Sequence, residues 1–282
     1  MGWCTTRNLT EFRSAADAFL RSRPAENTLL LSAASELSAG GELGDGVSVP
    51  SDALFGWLEQ ADGIRGAFVH LPPDPVLVGS LAPEAAAALA DALARLQRRL
   101  GGIDASVRAA EAFAATWKQR TRQSARVHRH TRVYRLTGPV PDVPSAPGRF
   151  RPATADDKDV VAEWLAAFGR EVGDVPHPAT ADELLSRWTV LLWETPGVGP
   201  TAMSVLAGPV AGTVRIMLVY TPPRLRHLGY ASAVLVAACR AAREAGATDA
   251  LMITDVSSPM TGTLRQRLGC EPLGDRLVLT FR

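Results

Sequence analysis

Apolar positions along this chain fall into short runs whose spacing switches between the period of two of a strand and the period of about 3.6 of a helix. Residues 11–20 and 27–37 read as helices, the second with Asn27 or Thr28 as its cap. Three extended runs follow at 54–58, 64–71 and 76–79, the last two parted by a Pro-Pro-Asp-Pro turn at 72–75. Pro83 opens a helix with Leu89, Leu93, Leu96 and Leu100 on one stripe, which Gly101 and Gly102 are expected to close. Asp104 or Ser106 then caps a helix bearing Val107, Ala110, Phe113, Ala114 and Trp117, and a strand is expected through 127–136.

The segment 138–148 breaks this rhythm. It holds four prolines in eleven residues, which neither a helix nor a sheet interior accepts, so it reads as an extended, stiff linker. It divides the chain into a domain at 1–137 and a domain at 149–282. The second half opens with a strand at 149–153 and a helix start at Thr154, Asp156 and Asp157, whose acids suit the positive end of the helix dipole. Val160, Val161, Trp164, Leu165 and Phe168 form the buried stripe of that helix. A short helix at 182–188 comes next, then strands at 190–193, 202–207 and 214–220. A helix ended by Gly246, a strand at 250–256, a helix from Pro259 to Gly269 and a strand at 277–281 complete the order.

Composition narrows the function classes. With 46% hydrophobic residues in 282 and a formal net charge of +1, the chain reads as globular and gives no global argument for nucleic acid or membrane partners. No apolar run approaches the ~20 residues of a membrane span, and the first residues lack the pattern of a secretory signal. Cys4, Cys239 and Cys270 form neither a metal pattern nor a disulfide framework, so no metal is expected and a reducing cytoplasm fits. His70 reads as a structural histidine. The stretch 118–135 carries seven Lys or Arg residues, two histidines and no acid. It reads either as a phosphate or nucleic-acid surface or as a solvated helix end followed by a charged edge strand; the near-absence of interleaved aromatics favours the second.

The candidate chemistry lies between the strand at 214–220 and the helix after it. Pro222 and Pro223 stop the strand, Gly229 allows a tight turn, and the free N–H groups of a helix start flanked by Arg224 and Arg226 make a site for phosphate. The hexapeptide Arg226-His227-Leu228-Gly229-Tyr230-Ala231 and the element order around it resemble the GNAT superfamily of acetyl-CoA-dependent N-acetyltransferases, whose signature is Gln/Arg-x-x-Gly-x-Gly/Ala. Residues 219–223 and 254–259 are similar to a bacterial subgroup in which a degenerate N-terminal half precedes a competent C-terminal one. The motifs span about 215–269, and a weaker likeness covers the chain.

The resemblance implies an α/β fold: two GNAT-like domains in tandem, each a twisted mixed sheet flanked by helices, with no phosphate-binding loop in the first. It implies acetyl-CoA, or another short acyl-CoA, as co-substrate and a small-molecule amine as acceptor, in a monomer or homodimer. The cofactor-binding positions are then Leu218, Val219, Tyr220, Thr221, Arg224, Arg226, His227, Leu228, Gly229, Tyr230, Ala231 and Ser258. Glu194, Glu171, Asp174 and His177 are candidates for taking the amine's proton. The family's usual tyrosine acid falls, by register, on Arg265, which can stabilise a thiolate by charge but cannot donate a proton as that acid does; Tyr220 or Tyr230 could substitute. The alternative is a GNAT-fold protein that binds an acyl-CoA with lost or altered transfer chemistry.

Overall fold

A computed structural model describes residues 2–42, 49–136, 138–140, 146–173, 180–257 and 268–282. In chain order the first half contains β1 (Gly2–Thr6), α1 (Leu9–Ser22), α2 (Thr28–Glu42), β2 (Leu54–Gln60), β3 (Gly63–His70), β4 (Val76–Val78), α3 (Pro83–Arg95), β5 (Gly102–Ser106), α4 (Val107–Thr121) and β6 (Ala125–Leu136). The second contains β7 (Arg149–Pro152), α5 (Lys158–Val172), α6 (Ala181–Arg187), β8 (Thr189–Thr195), β9 (Gly199–Val210), β10 (Thr213–Tyr220), α7 (Tyr230–Glu244), β11 (Asp249–Asp255) and β12 (Glu271–Phe281). The helix expected from Pro259 falls mostly on residues 258–267, outside the described residues, as does the centre of the 138–148 segment.

The chain divides into two compact units, one of Met1–Val133, Thr254–Pro259 and Pro272–Arg282, the other of Tyr134–Ile253 and Met260–Glu271. The closing strand, placed by its sequence position in the second domain, thus belongs to the first unit. There the strand order is β1-β2-β3-β4-β5-β12-β6. β4 and β5 are parallel, and β12 lies antiparallel to β5 from Arg276↔Ser106 to Thr280↔Gly102. Phe281 at the end of β12 stacks on Phe113 at 6.0 Å and on Trp117 at 5.7 Å. The burial of Phe281 against two further rings helps offset the entropy of ordering the terminal strand.

Local signals explain most boundaries. Asn8 caps α1 by accepting from the N–H groups of Thr10 and Glu11, and Phe12, Ala16 and Leu20 form its buried stripe. Thr154 and Asp157 form a reciprocal capping box ahead of α5. Two expectations are corrected. The Leu89–Leu93 stripe does not continue: α3 stops at Arg95, Leu96 is exposed, and the buried set is Ala86, Leu89, Ala90 and Leu93. Gly102 begins a strand instead of ending a helix: it pairs with Thr280 of β12, so close that a Cβ there would collide with the Leu279 carbonyl.

β6 is not the free edge expected of the basic stretch. It neighbours β12, and its His130 carbonyl accepts from the Val256 N–H. Arg132 and His130 both bind Asp275, and Arg120 binds Asp91. Acids distant in sequence therefore answer part of the basic run.

His70, at the end of β3, is 1% exposed. Burial first, and then the charge of Arg98, push its imidazole down to about 4. A histidine kept neutral in the fold stabilises it fully above the unfolded value of about 6.5, and that stability is lost as pH falls from about 6.5 towards about 4. The expected loss over that window is on the order of 2 kcal/mol. Urea unfolding of the wild type and of His70→Gln at several pH values checks it: the wild type should show this step and the variant should not.

Candidate functional site

The candidate site of the second unit is built where β10 ends. In this unit the strand order is β11-β10-β9-β8-β7, with α7 packed on one face and α5 and α6 on the other. β10 and β11 are parallel and in register from Thr213↔Asp249 to Ile216↔Met252. β10 then continues to Tyr220, still paired to β9 through Leu218↔Val205, Val219↔Ser204 and Tyr220↔Met203. The register shifts between Ile216 and Leu218. An irregularity of this kind bends a strand and re-aims its backbone groups. The side of 218–220 that faces away from β9 therefore lies past the stretch paired with β11, and an extended ligand arm could add there as a further strand.

Beyond Tyr220 the chain turns into α7. Pro222 and Pro223 end the ladder and lead into a 3-10 turn at Pro223–Leu225. His227 (φ 65°) and Gly229 (φ 86°) both take left-handed conformations. Such turns aim successive N–H groups into one concavity, a nest for anions. Gly229 is the N-cap of α7; it offers no side-chain cap, and the first turn holds no acid. The positive end of the helix is left for an anion. A second observation points the same way: Thr221 is buried, and its hydroxyl has no hydrogen-bond partner among the described residues. A buried polar group without a partner costs about 1–3 kcal/mol, a cost a bound ligand can offset.

The side chains around the turn divide into two groups. Arg224, His227 and Leu228 are exposed at the turn. Arg226 is engaged: its Nε donates to the Thr221 carbonyl at 3.0 Å, and its Nη2 donates to both carboxylate oxygens of Glu171, at 2.6 and 2.7 Å. Tyr230 packs in the core beneath α7. Tyr220 lies on the opposite face, its ring tilted against Trp164 at 6.0 Å. Burial, and next the nearby charge of Glu171, raise its phenol, so it keeps its proton at neutral pH.

The two expected bases that fall in the described residues are both tied to arginines. Glu194 accepts from Arg151 Nε at 2.6 Å, and the same guanidinium binds both oxygens of Asp157 at 2.7 and 2.8 Å. Arg151 holds the Asp157 carboxyl down at about 2. This cluster fastens β7, β8 and the start of α5. Glu171 sits in the last turn of α5 against Arg226. Asp174, His177, Ser258 and Arg265 lie outside the described residues. Sequence reasoning missed both arginine–carboxylate pairs, because their partners stand 43 and 55 residues apart with no local signal.

The first unit repeats the parallel strand–helix–strand arrangement, with β4, α3 and β5 in the places of β10, α7 and β11. Its corresponding space is filled by its own side chains. Asn27, 1% exposed, accepts from the Ser80 N–H at 2.8 Å in the turn before α3, and would block any Cβ at Gly79. Arg276 reaches from β12 to the Val78 carbonyl at the end of β4 (3.1 Å), the Asp104 carboxylate (2.9 Å) and the Asp104 carbonyl (3.0 Å). No anion nest of the Gly229 kind occurs there: the N-cap of α3 is Ala82, followed by Pro83.

No protein-family model and no curated protein matches this chain. Solved structures do. A Drosophila protein is 14% identical over 99% of this chain and 98% of its own, with a TM-score of 0.67. A GCN5-related N-acetyltransferase from Sphaerobacter thermophilus is 15% identical over 99% and 95%, with a TM-score of 0.61. A tandem GNAT protein from the clavulanic acid biosynthesis pathway is 14% identical over 89% and 87%, with a TM-score of 0.57. At these identities the likeness is one of fold: a mixed α/β architecture of the tandem GNAT type. Among the described residues, no helix is long and apolar enough to cross a membrane.

Proposed function

From the tandem GNAT fold, we propose that this chain is an acyl-CoA-dependent N-acyltransferase that modifies a primary amine of a small molecule, with its chemistry in the second unit. The observation that carries the reading is the conjunction at the end of β10. A strand edge beyond its paired stretch leads directly into an uncapped helix N-terminus with two left-handed residues and a buried hydroxyl that lacks a partner among the described residues. That suits a ligand with an extended amide-bearing arm and a diphosphate. The N–H groups of residues 228–231 would hold the diphosphate with Arg224 nearby, and the edge at 218–220 would pair with the arm. An N–H on that edge would polarise a thioester carbonyl for direct attack by the amine. The acyl–sulfur bond breaks as the acyl–nitrogen bond forms, the nitrogen gives up a proton to water, and the departing thiolate takes a proton.

Tyr220 is the side chain among the described residues best suited to supply that proton, since it closes the open edge and stays protonated at neutral pH. Ser258 and Arg265 belong to the reading by register alone. A second reading, acyl-CoA binding without transfer, draws on the arginine pairing of both Glu194 and Glu171. Free-thiol release from acetyl-CoA across a panel of primary amines separates the two. Transfer predicts turnover with at least one amine, and Tyr220→Phe should lower that turnover about 10²-fold while leaving the dissociation constant for coenzyme A within twofold. Binding of acetyl-CoA with no thiol release for any amine selects the second reading, and no binding removes both.

A further inference from the structure

Glu171 stands where a helix does not favour an acid. It is in the last turn of α5, at the negative end of the helix dipole, and the bond to Arg226 offsets that placement. The pair is not a remote surface contact. Arg226 opens the turn that carries His227 and Gly229, and it is tied by its Nε to the carbonyl of Thr221, whose own hydroxyl has no partner among the described residues. The guanidinium is 25% exposed and the carboxylate 37%, so solutes can reach the contact. A guanidinium binds carboxylate and phosphate oxygens with the same N–H geometry, and a diphosphate brings more charge and more acceptors than one carboxylate.

We propose that Glu171 is an internal competitor for the anion site: its carboxylate occupies Arg226 in the free protein, a diphosphate group displaces it, and the last turn of α5 is released as the ligand binds. This rests on the acyl-CoA reading above and adds to it a control on affinity and a link to α5. Among the described residues the ion pair is the contact that ties the last turn of α5 to Arg226, while the helix packs through Val161, Trp164 and Leu165, with Ala167 and Phe168 partly buried beside them. It also gives Glu171 a different task from the proton acceptor expected of it. In the free protein the carboxylate is held on Arg226, beside Thr221 at the end of β10.

The test uses the full chain, coenzyme A and inorganic pyrophosphate as probes, and the near-isosteric Glu171→Gln, with Glu163→Gln on the same helix as a control for charge alone. Calorimetry should show Glu171→Gln binding both probes about 5–10-fold more tightly than the wild type, and Glu163→Gln unchanged within twofold. Amide hydrogen exchange at residues 170–172 should speed up when the wild type is saturated with coenzyme A. In Glu171→Gln it should be fast already, and indifferent to ligand. Equal or weaker binding by Glu171→Gln, an equal gain in Glu163→Gln, or protection of 170–172 by coenzyme A would each overturn the competitor role. In those cases Glu171 merely supports Arg226 or acts as a distant charge, and the acyl-CoA reading stands. Absence of coenzyme A binding in all three proteins would remove that reading and the competitor with it.

Discussion

Arg276→Met is expected to destabilise the first unit by about 3 kcal/mol, the lower end of what removing one partner of a buried ion pair costs. Arg276 is 8% exposed and satisfies three acceptors on two strands, the Val78 carbonyl and the Asp104 carboxylate and carbonyl. Methionine fills much of the volume but leaves a carboxylate and the last carbonyl of β4 without their donor. The lower figure applies because Asp104 is 24% exposed and water can reach it. On a unit of this size the midpoint should fall by roughly 10 °C. Since two units need not unfold together, exchange of the β4 and β5 amides is a better readout than a whole-chain midpoint. Adding Asp104→Asn to Arg276→Met should recover a good part of the loss. A change below about 1 kcal/mol would mean that the pair behaves as an exposed one.

Gly229→Val should abolish stabilisation by acyl-CoA while costing the free protein far less. The Gly229 φ of 86° is strained for any side chain, and most of all for a β-branched one. Space is not the obstacle: a Cβ would meet Ala146 at 3.7 Å, an ordinary contact. The variant must relax its backbone, at about 1–2 kcal/mol, and in doing so rotate the N–H groups that line the turn. At a ligand concentration a hundred times its dissociation constant the wild type should gain about 2.7 kcal/mol. The variant should gain nothing measurable. Thermal melts of both proteins with and without acetyl-CoA decide it, and a variant that kept the wild-type shift would place the ligand elsewhere.

These two residues show what could and could not be read in advance. Gly229 announces itself: two prolines, a glycine and an apolar helical stripe in sequence specify strand, turn and helix start through local sterics alone, and the structure has that order. The capping box at Thr154 and Asp157 and the stop at Gly246 are of the same kind. Arg276 gives no such sign. Its partner Asp104 lies 172 residues away and reads equally well as a helix cap. Gly102 was misread for the same cause: its neighbour across the sheet, Leu279, is invisible to any local window.

The expected proton acceptors carry a related lesson. Strand and helix assignments put Glu194 and Glu171 where acids were wanted, and each meets an arginine from another element that no local window shows. The basic run at 118–135 is the mirror case, since Asp91 and Asp275 answer it only once the chain has folded.

The sequence by itself determined most of the elements, β1 and β5 excepted, and the turn between β10 and α7, because caps, prolines, glycines and periodicity act over a few residues and need no distant partner. Tertiary structure alone decided that the closing strand completes the first unit, that this unit's counterpart space is filled by Asn27 and Arg276, and that β10 runs on beyond its pairing with β11. Those outcomes depend on strand register and on side chains meeting across long sequence separations, where the free energy belongs to the pair and is not carried by either residue alone.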